Sequence, residues 1–181
     1  MSKRTFDYTG YYTIVLTKAQ LNNDNILKKI LDDCWSKYIV NVIVLCSLTT
    51  GKDSKVLIYT YFPFTSNYCE QVQPIIIDEY QSDMISIPSK RLFPNKLENM
   101  HNCPLFLATY NAKPHIFVHK ENLTDGNVRI RVTGIDAIIM ANIAASMNFT
   151  TIIYDATYIG GRGTIFENGT MTGIEEMVNY N

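Results

Sequence analysis

Hydrophobic and polar positions in the first half of the chain predict a strand, a helix and further strands, in that order. The run "YYTIVLT" (11–17) is rich in β-forming residues, and "NNDNILKKILDDCWSKY" (22–38) repeats apolar residues at helical spacing, with Asn and Asp residues at its start as candidate caps. The almost wholly apolar run 39–48 is typical of a strand covered on both faces. A further strand is predicted over 55–64, and 74–80 could add another. This order indicates an open twisted sheet with a flanking helix.

The second half opens with a strand, "PLFLATY" (104–110), and passes through further β-prone segments into a helix that starts at "TGID" (133–136). The strand "TTIIYD" (150–155) follows that helix, and "ENGTMTGIEEMVN" (167–179) forms a turn into a last helix. Both halves therefore predict the α/β class, with open twisted sheets and flanking helices.

The helix that starts at "TGID" carries two more detailed predictions. Thr133 and Asp136, three residues apart, are predicted to form a capping-box-like start. Small residues let this helix lie close to a sheet, and a stripe of larger side chains is predicted to be buried against that sheet: Ile135, Ile138, Ile139, Ile143 and Met147. An aspartate at Ile139 or Ile143 is therefore expected to prevent folding.

A change of composition divides the chain. The segment "DMISIPSKRLFPNKLENMHNC" (83–103) mixes proline, basic and amide residues without hydrophobic periodicity. We predict an amino-terminal α/β region over 1–90, a linker over 91–102 and a second domain over 103–181.

Composition and charge exclude several functions. With 181 residues, 46% of them hydrophobic, the chain is long enough to bury a core. A net charge of -1 with scattered basic residues argues against nucleic acid as a partner. The amino terminus lacks the uninterrupted apolar run of a signal peptide, and no apolar run reaches the ~20 residues of a membrane helix. The chain as given is expected to be soluble.

Cysteine and histidine positions give no metal site. Cys34, Cys46, Cys69 and Cys103 are widely spaced, which permits either disulfides in an oxidising compartment or free buried thiols. His115 and His119 have a helical chelating spacing, but the residues around them are β-prone. On a strand the two rings would lie about 13 Å apart.

Catalytic constellations are also missing from the sequence. There is no GxGxxG motif, no P-loop and no nucleophile elbow around Ser146, and the adjacent Glu175 and Glu176 are expected to be solvated. We therefore expect no enzyme activity and no cofactor. Sequons for N-glycosylation occur at Asn122, Asn148 and Asn168, and these three asparagines are candidate glycosylation sites.

The order of the second-half motifs resembles the first segment of the ligand-binding domain of ionotropic glutamate receptors, and more closely that of the divergent insect ionotropic receptors. The motifs are the strand "CPLFLATY", "TGID" opening a helix that ends "ASMNF", the strand "IIYD", and "NGTMTGIEEMV". The upstream segments "YTYFPFTSNYCE" and "RLFPNKLENMHNCPL" also look like segments that precede the ligand-binding lobe. The resemblance covers roughly residues 55 to 179. Its matching positions are Gly134, Asp136, Ala144, Asn148, Phe149, Asn168, Gly169 and Gly173.

This resemblance implies part of a periplasmic-binding-protein-like lobe, one side of a clamshell that closes on a small molecule and gates a cation channel. Val132 takes the place of the aromatic residue that packs on the ligand in glutamate-binding relatives, and Thr109 and Tyr110 end the neighbouring strand. These three residues are the implied ligand-binding positions. Because none of them carries the charge that grips an α-carboxylate, glutamate is not the expected ligand.

The same resemblance implies a chemosensory receptor on the extracellular side of the plasma membrane, with co-receptor subunits of its own family as partners. The chain would be a receptor fragment without the pore, attached to the membrane only through segments it does not contain. A soluble solute-binding protein of bilobed architecture is the alternative, and an α/β enzyme is the third hypothesis.

Overall fold

The computed structural model describes residues 7, 9–17, 25–50, 53–81, 92–122, 124 and 126–179. The chain divides into two compact units, Met1–Leu97 and Glu98–Asn181, which we call the first and second units. Both units combine helices with strands, and the predicted α/β class with open sheets is confirmed. The predicted domain boundaries stay a prediction, and residues 83–91 of the boundary segment lie outside the described residues.

The first unit contains one sheet with a helix. Its elements are β1 (Tyr12–Leu16), α1 (Ile26–Trp35), β2 (Val42–Thr50), β3 (Asp53–Thr60) and β4 (Ile75–Gln81). The strands lie in the order β1-β2-β3-β4. β1 and β2 are parallel, as the helical crossover through α1 requires, whereas β3 pairs antiparallel with β2 and β4.

Helix α1 buries one face on this sheet. Asn25 is the residue before the helix, as predicted for a cap, but its side chain makes no capping hydrogen bond. The other predicted caps, at 22–24, lie outside the described residues. Leu31 and Cys34 are buried, and they join side chains of β2 and β3 such as Val44 and Leu57 in the core. The periodic spacing of the apolar residues thus places them on the buried face.

An aromatic cluster closes one end of this core. Trp35 at the end of α1 makes edge-on contacts with the rings of Tyr38, Tyr61 and Phe64, with ring centroids 5.9 to 6.3 Å apart. The Tyr61 hydroxyl donates a hydrogen bond of 2.8 Å to the Ile39 carbonyl. Burial raises the pKa of Tyr61, and the phenol stays protonated in this core.

The first unit also buries a lysine. Lys96 Nζ donates hydrogen bonds of 2.6 Å to the Val40 carbonyl and to Thr60 Oγ1, and it lies 4.6 Å from the centre of the Tyr61 ring. Burial lowers the pKa of Lys96 to about 8. The neutral acceptors satisfy the N–H groups of the ammonium without a carboxylate partner among the described residues.

The second unit is built from two strand pairs and two helices. Its elements are β5 (Cys103–Thr109), β6 (Phe117–Asn122), β7 (Val128–Thr133), α2 (Ile135–Met147), β8 (Phe149–Asp155) and α3 (Gly173–Asn179), with a 3-10 turn at Thr157–Ile159. β5 and β8 are parallel, and β6 and β7 form an antiparallel hairpin. The strand predicted around the histidines begins at Phe117, because His115 lies in a turn before β6.

The predicted capping box at α2 is wrong. The residue before the helix is Gly134, with φ 112°, and no side chain caps the helix. Thr133 Oγ1 instead lies 3.0 Å from His119 Nε2, across the β6–β7 pair. A side chain at Gly134 would run into the backbone of His115, so the close approach of the hairpin excludes any other residue at this position.

The predicted buried stripe on α2 is also wrong. Ile135, Ile138, Ile139 and Ile143 are exposed, Ile138 by 63%, and Met147 is half-buried. The half-buried positions on the helix are Ala137, Met140, Ala144 and Met147, spaced three or four residues apart. The helix carries apolar residues on more than one side, and the structure turns the side with two alanines and two methionines inward instead of the isoleucines.

Candidate functional site

A cavity of about 260 Å³ lies inside the second unit, between helix α2 and the ends of the strands. Strands β5, β7 and β8 contribute lining residues, with Leu107 and Ile153 forming part of the wall beneath Met140 of the helix. Two of the four helix residues in the wall, Ala137 and Ala141, have small side chains, so the space between the layers is only partly filled. The wall is mainly apolar, as is usual for small-molecule sites.

Two of the three residues predicted to bind ligand line this cavity. Thr109 ends β5 and Val132 lies near the end of β7, and both are part of the wall. Tyr110 follows Thr109 but is not in the wall, and its ring lies beneath Gly161. The ligand-binding role of all three stays a prediction, and the structure brings two of them together.

The hydroxyl of Thr109 distinguishes this cavity from a simple packing defect. Thr109 is 5% exposed, and its Oγ1 is buried without a hydrogen-bond partner. Its carbonyl, in contrast, accepts a hydrogen bond of 2.7 Å from the Ala156 amide. A buried hydroxyl without a partner is destabilising, and such groups are rare outside functional sites.

Asp136 supplies the only charge in the wall of the cavity. Its side chain is exposed and makes no ion pair with any residue in the described part of the chain. The carboxylate sits in the first turn of α2, where the helix dipole favours negative charge. Sequence reasoning left Asp136 out of the ligand-binding set, although it is the single charged residue on an otherwise apolar helix.

A second polar group lies at the end of β8. Asp155 is half-buried with its side chain 4% exposed, and it forms an ion pair of 2.9 Å with Lys120, whose Nζ lies 4.2 Å from the centre of the Tyr158 ring. Burial raises the pKa of Asp155, but hydrogen bonds from Thr157 and the contact with Lys120 outweigh burial and hold the pKa below its usual value. Both charges are satisfied, so this pair fixes the chain after β8.

The asparagines of the three sequons differ in exposure and in hydrogen bonding. Asn148 follows α2 in the left-handed conformation, and its Nδ2 donates a hydrogen bond of 2.8 Å to Asn99. Asn122 is exposed at the end of β6. Asn168 is also exposed, and its Oδ1 accepts hydrogen bonds from the amide and hydroxyl of Thr170. The structure leaves the side-chain nitrogen accessible at Asn122 and Asn168, whereas glycosylation of any of the three stays a prediction.

The residues that could bind metal or undergo redox chemistry include the histidines, the acidic side chains and the cysteines. The described residues contain no cluster of three histidine, cysteine or acidic residues that could hold a metal ion. Cys34 and Cys46 are free and buried, and burial raises the pKa of both thiols. Cys69 and Cys103 are disulfide-bonded, which answers the question that the sequence left open. Arg162, in the segment "GGRG" (160–163), has its Nε 3.8 Å from Glu175 Oε1, so its charge has a partner.

Comparison with models of protein families identifies a match over the first part of the chain. The profile of the family described as "Putative ionotropic receptor, ligand binding domain" matches residues 1–99, which is just over half of the 181 residues. A search of curated protein sequences finds no significant match. Within the described residues, none of the helices has the length and apolar character needed to cross a bilayer.

Proposed function

Because this chain belongs to the ionotropic receptor ligand-binding domain family, we propose that it forms the ligand-binding portion of a chemosensory ionotropic receptor of the insect type. The family match over residues 1–99 is the observation that carries the proposal. Domains of this family lie on the extracellular side of the membrane. The receptor would conduct cations when a small molecule binds, with the pore formed by polypeptide outside this chain.

The cysteines support an extracellular position. Cys69 and Cys103 are disulfide-bonded, and disulfides persist in oxidising compartments but are rare in the cytosol. Cys34 and Cys46 do not contradict this position, because both are buried in the core of the first unit. The accessible sequons at Asn122 and Asn168 suit the same side of the membrane.

The cavity of the second unit supports ligand binding. It combines an apolar wall, one unpartnered buried hydroxyl at Thr109 and one carboxylate at Asp136. This is the usual composition of a small-molecule site, in which a few polar groups orient a mainly apolar ligand. The proposal assigns no catalytic step and no cofactor to the chain. Co-receptor subunits of the same family are the proposed protein partners, and the membrane is contacted by other parts of the receptor.

Surface labelling tests this proposal against a secreted binding protein. An epitope inserted at Gly126, which is exposed with no neighbouring atom within 4 Å of an added Cβ, leaves the rest of the second unit intact. The complete product of the gene that encodes this chain is expressed in cultured cells with the epitope in place. We expect antibody staining of intact cells and resistance to alkaline extraction. Recovery of the tagged protein from the medium would contradict the proposal.

Voltage-clamp recording tests the chemosensory role. The same gene product is expressed with other receptor subunits of its family, and small volatile or soluble organic molecules are applied to the cells. We expect an inward cation current that depends on the presence of this subunit. The control uses the same co-receptor subunits together with other ligand-binding subunits, a combination that conducts. If this subunit reaches the surface with those co-receptors but no ligand evokes a current, the chemosensory role is refuted.

A further inference from the structure

Three polar side chains line the cavity under helix α2, namely Thr109, Asp136 and Thr151. Two of them, Thr109 and Asp136, lie at different depths. Asp136 is exposed, whereas Thr109 is buried and 5% exposed. Both residues line the same cavity, so the wall extends from solvent to an interior hydroxyl. Apart from Thr151, the rest of the wall is apolar, with Leu107, Met140 and Ile153 among its side chains.

The interior hydroxyl needs a hydrogen-bond partner that the protein does not supply. Thr109 Oγ1 is unpaired, although neighbouring hydroxyls at the same end of the sheet are used. Thr157 Oγ1, for example, accepts a hydrogen bond of 3.1 Å from the Asn111 amide. A buried hydroxyl can donate or accept, so it places few limits on the ligand except that a polar atom must reach it.

The carboxylate of Asp136 restricts the charge of the ligand more strongly than the Thr109 hydroxyl does. Asp136 can only accept hydrogen bonds while ionised, and no residue in the cavity wall carries a positive charge. A carboxylic acid in this cavity would face a like charge without a counter-ion, which is unfavourable. A protonated nitrogen would pair with Asp136 and could also donate to a hydroxyl.

We infer that this cavity binds a small organic amine, with its protonated nitrogen paired to Asp136, its apolar body between Leu107, Met140 and Ile153, and a polar atom at Thr109 Oγ1. The inference rests on the proposed function, since it names the ligand class of the same ligand-binding domain. It excludes amino acids and simple carboxylic acids as the preferred ligands. The volume of about 260 Å³ limits the body to about one ring or a short branched chain.

Three probes of nearly equal size but different charge test the inference on the 181-residue chain. They are 2-phenylethylamine, 2-phenylethanol and 3-phenylpropionate, titrated up to about 10 mM at low ionic strength. The readout is the ¹³C-methyl resonance of Met140, which lies in the wall and localises binding to this cavity. We expect saturable shifts with the amine and about fivefold weaker binding of the alcohol, as is usual for an exposed charge pair. The acid should bind more weakly than the alcohol.

Two variants and two controls assign the polar contacts. Asp136→Asn should remove the preference for the amine over the alcohol, and Thr109→Val should weaken the amine about fivefold. Thr109→Val should also stabilise the unliganded chain, because it removes the unpartnered hydroxyl. Glu176→Gln removes a carboxylate from the first turn of α3, and Thr150→Val removes an exposed hydroxyl from β8, so both should bind the amine like the parent.

Each other result overturns the inference. Equal or tighter binding of the acid, an amine preference that survives Asp136→Asn, or an unchanged Met140 resonance at 10 mM amine would each refute it. If Glu176→Gln weakened amine binding as much as Asp136→Asn does, the loss would come from the change in net charge and not from a contact with Asp136. That result would also refute the site. None of these outcomes changes the surface labelling and current measurements, so the proposed receptor function stands or fails separately.

Discussion

The two units of this chain distribute their apolar surface in opposite ways. In the first unit, the apolar face of α1 and the central strands form a continuous core in which Leu31, Val42 and Val44 are fully buried. In the second unit, α2 has no buried residue, and Phe106 on β5 is 79% exposed. Exposed apolar side chains on β8, Ile152 and Tyr154, lie on the same face of the sheet as Phe106.

The difference between the two units shows that the arrangement of apolar residues on a helix, and not their number, decides whether one sheet can cover them. Helix α1 has apolar residues on one side only, so one sheet is enough to cover them. Helix α2 is apolar on all sides, which is typical of a helix covered on all sides in a larger domain. A parallel strand pair such as β5 and β8 is likewise usually covered on both faces. The first unit therefore carries most of the chain's own stability.

The largest expected effect tests the core of the first unit. Val44→Asp places an unpaired charge in the middle of β2, at a fully buried position. We expect a loss of at least about 4 kcal/mol in the free energy of unfolding, because the carboxylate finds no partner there. The fluorescence of Trp35, the only tryptophan in the chain, reports the unfolding of this unit.

Val15→Asp is the matched control, since it makes the same change in the same sheet. Val15 on β1 is 64% exposed, so the loss should stay below about 1 kcal/mol. If the two variants unfold at the same denaturant concentration, the core of the first unit is wrongly assigned.

The next effect belongs to the second unit. Gly134→Ala should cost about 3 kcal/mol, because the new methyl group meets the His115 carbonyl and the backbone keeps a positive φ of 112°. Hydrogen exchange of the α2 amides should accelerate, while the Trp35 transition stays in place.

Gly126→Ala is the control for backbone strain alone. Its φ is 83°, and an added Cβ would have no atom within 4 Å. We expect a loss of about 1 kcal/mol. Equal exchange rates in both variants would show that the hairpin does not contact the start of α2.

A third effect comes from the buried lysine of the first unit. The pKa of Lys96 is about 8 in the folded chain against 10.5 for an ordinary lysine. The unfolded chain therefore binds more protons between these values, and the contribution of Lys96 to stability is lowest below pH 8 and increases as the pH rises. From pH 7 to 9.5 the increase is about 2 kcal/mol.

Comparison with Lys96→Met isolates this contribution. Cys34 and Cys46 have raised pKa values, so they lower stability as the pH rises, but they do so in both proteins. The parent should gain about 2 kcal/mol relative to Lys96→Met over this range, whereas Lys29→Met, at an exposed position on α1, should follow the parent. Parallel pH curves for the parent and Lys96→Met would contradict the buried ammonium.

Most helices and strands are predictable from the sequence, whereas the burial of a given side chain depends on its three-dimensional environment and was predicted wrongly on α2. The strand 39–48 corresponds to β2, the helix after Thr133 corresponds to α2, and β8 begins one residue before its predicted start, because strong local periodicity fixes the element type. Periodicity cannot show which side of an all-apolar helix meets the sheet, so the stripe at Ile139 and Ile143 was assigned to the wrong face. The family match begins at residue 1, where the sequence alone showed no diagnostic motif.

The candidate site was predicted only in part, for a physical reason. Val132 was chosen because the family resemblance places a ligand-contacting residue two positions before the helix glycine, and Thr109 because it ends the neighbouring strand; both line the cavity. The missing hydrogen bond of Thr109 Oγ1 depends on every neighbouring atom and is invisible in a sequence. Asp136 was assigned to the capping box, but glycine at the helix start leaves its carboxylate for the cavity.

The smallest expected change in stability, on helix α2, directly tests whether the second unit leaves its apolar side chains exposed. Ile139→Asp puts a charge on α2 at a position that is 52% exposed, where the loss should stay below about 1 kcal/mol. Met140→Asp makes the corresponding change one residue later, on the side that faces the cavity, and should cost about 2 kcal/mol. Hydrogen exchange of the α2 amides gives both values in one experiment. Equal losses would mean that the isoleucine face is covered in solution. Size-exclusion chromatography would then decide whether a second copy covers it, since Ile139→Asp would shift a dimer to a monomer.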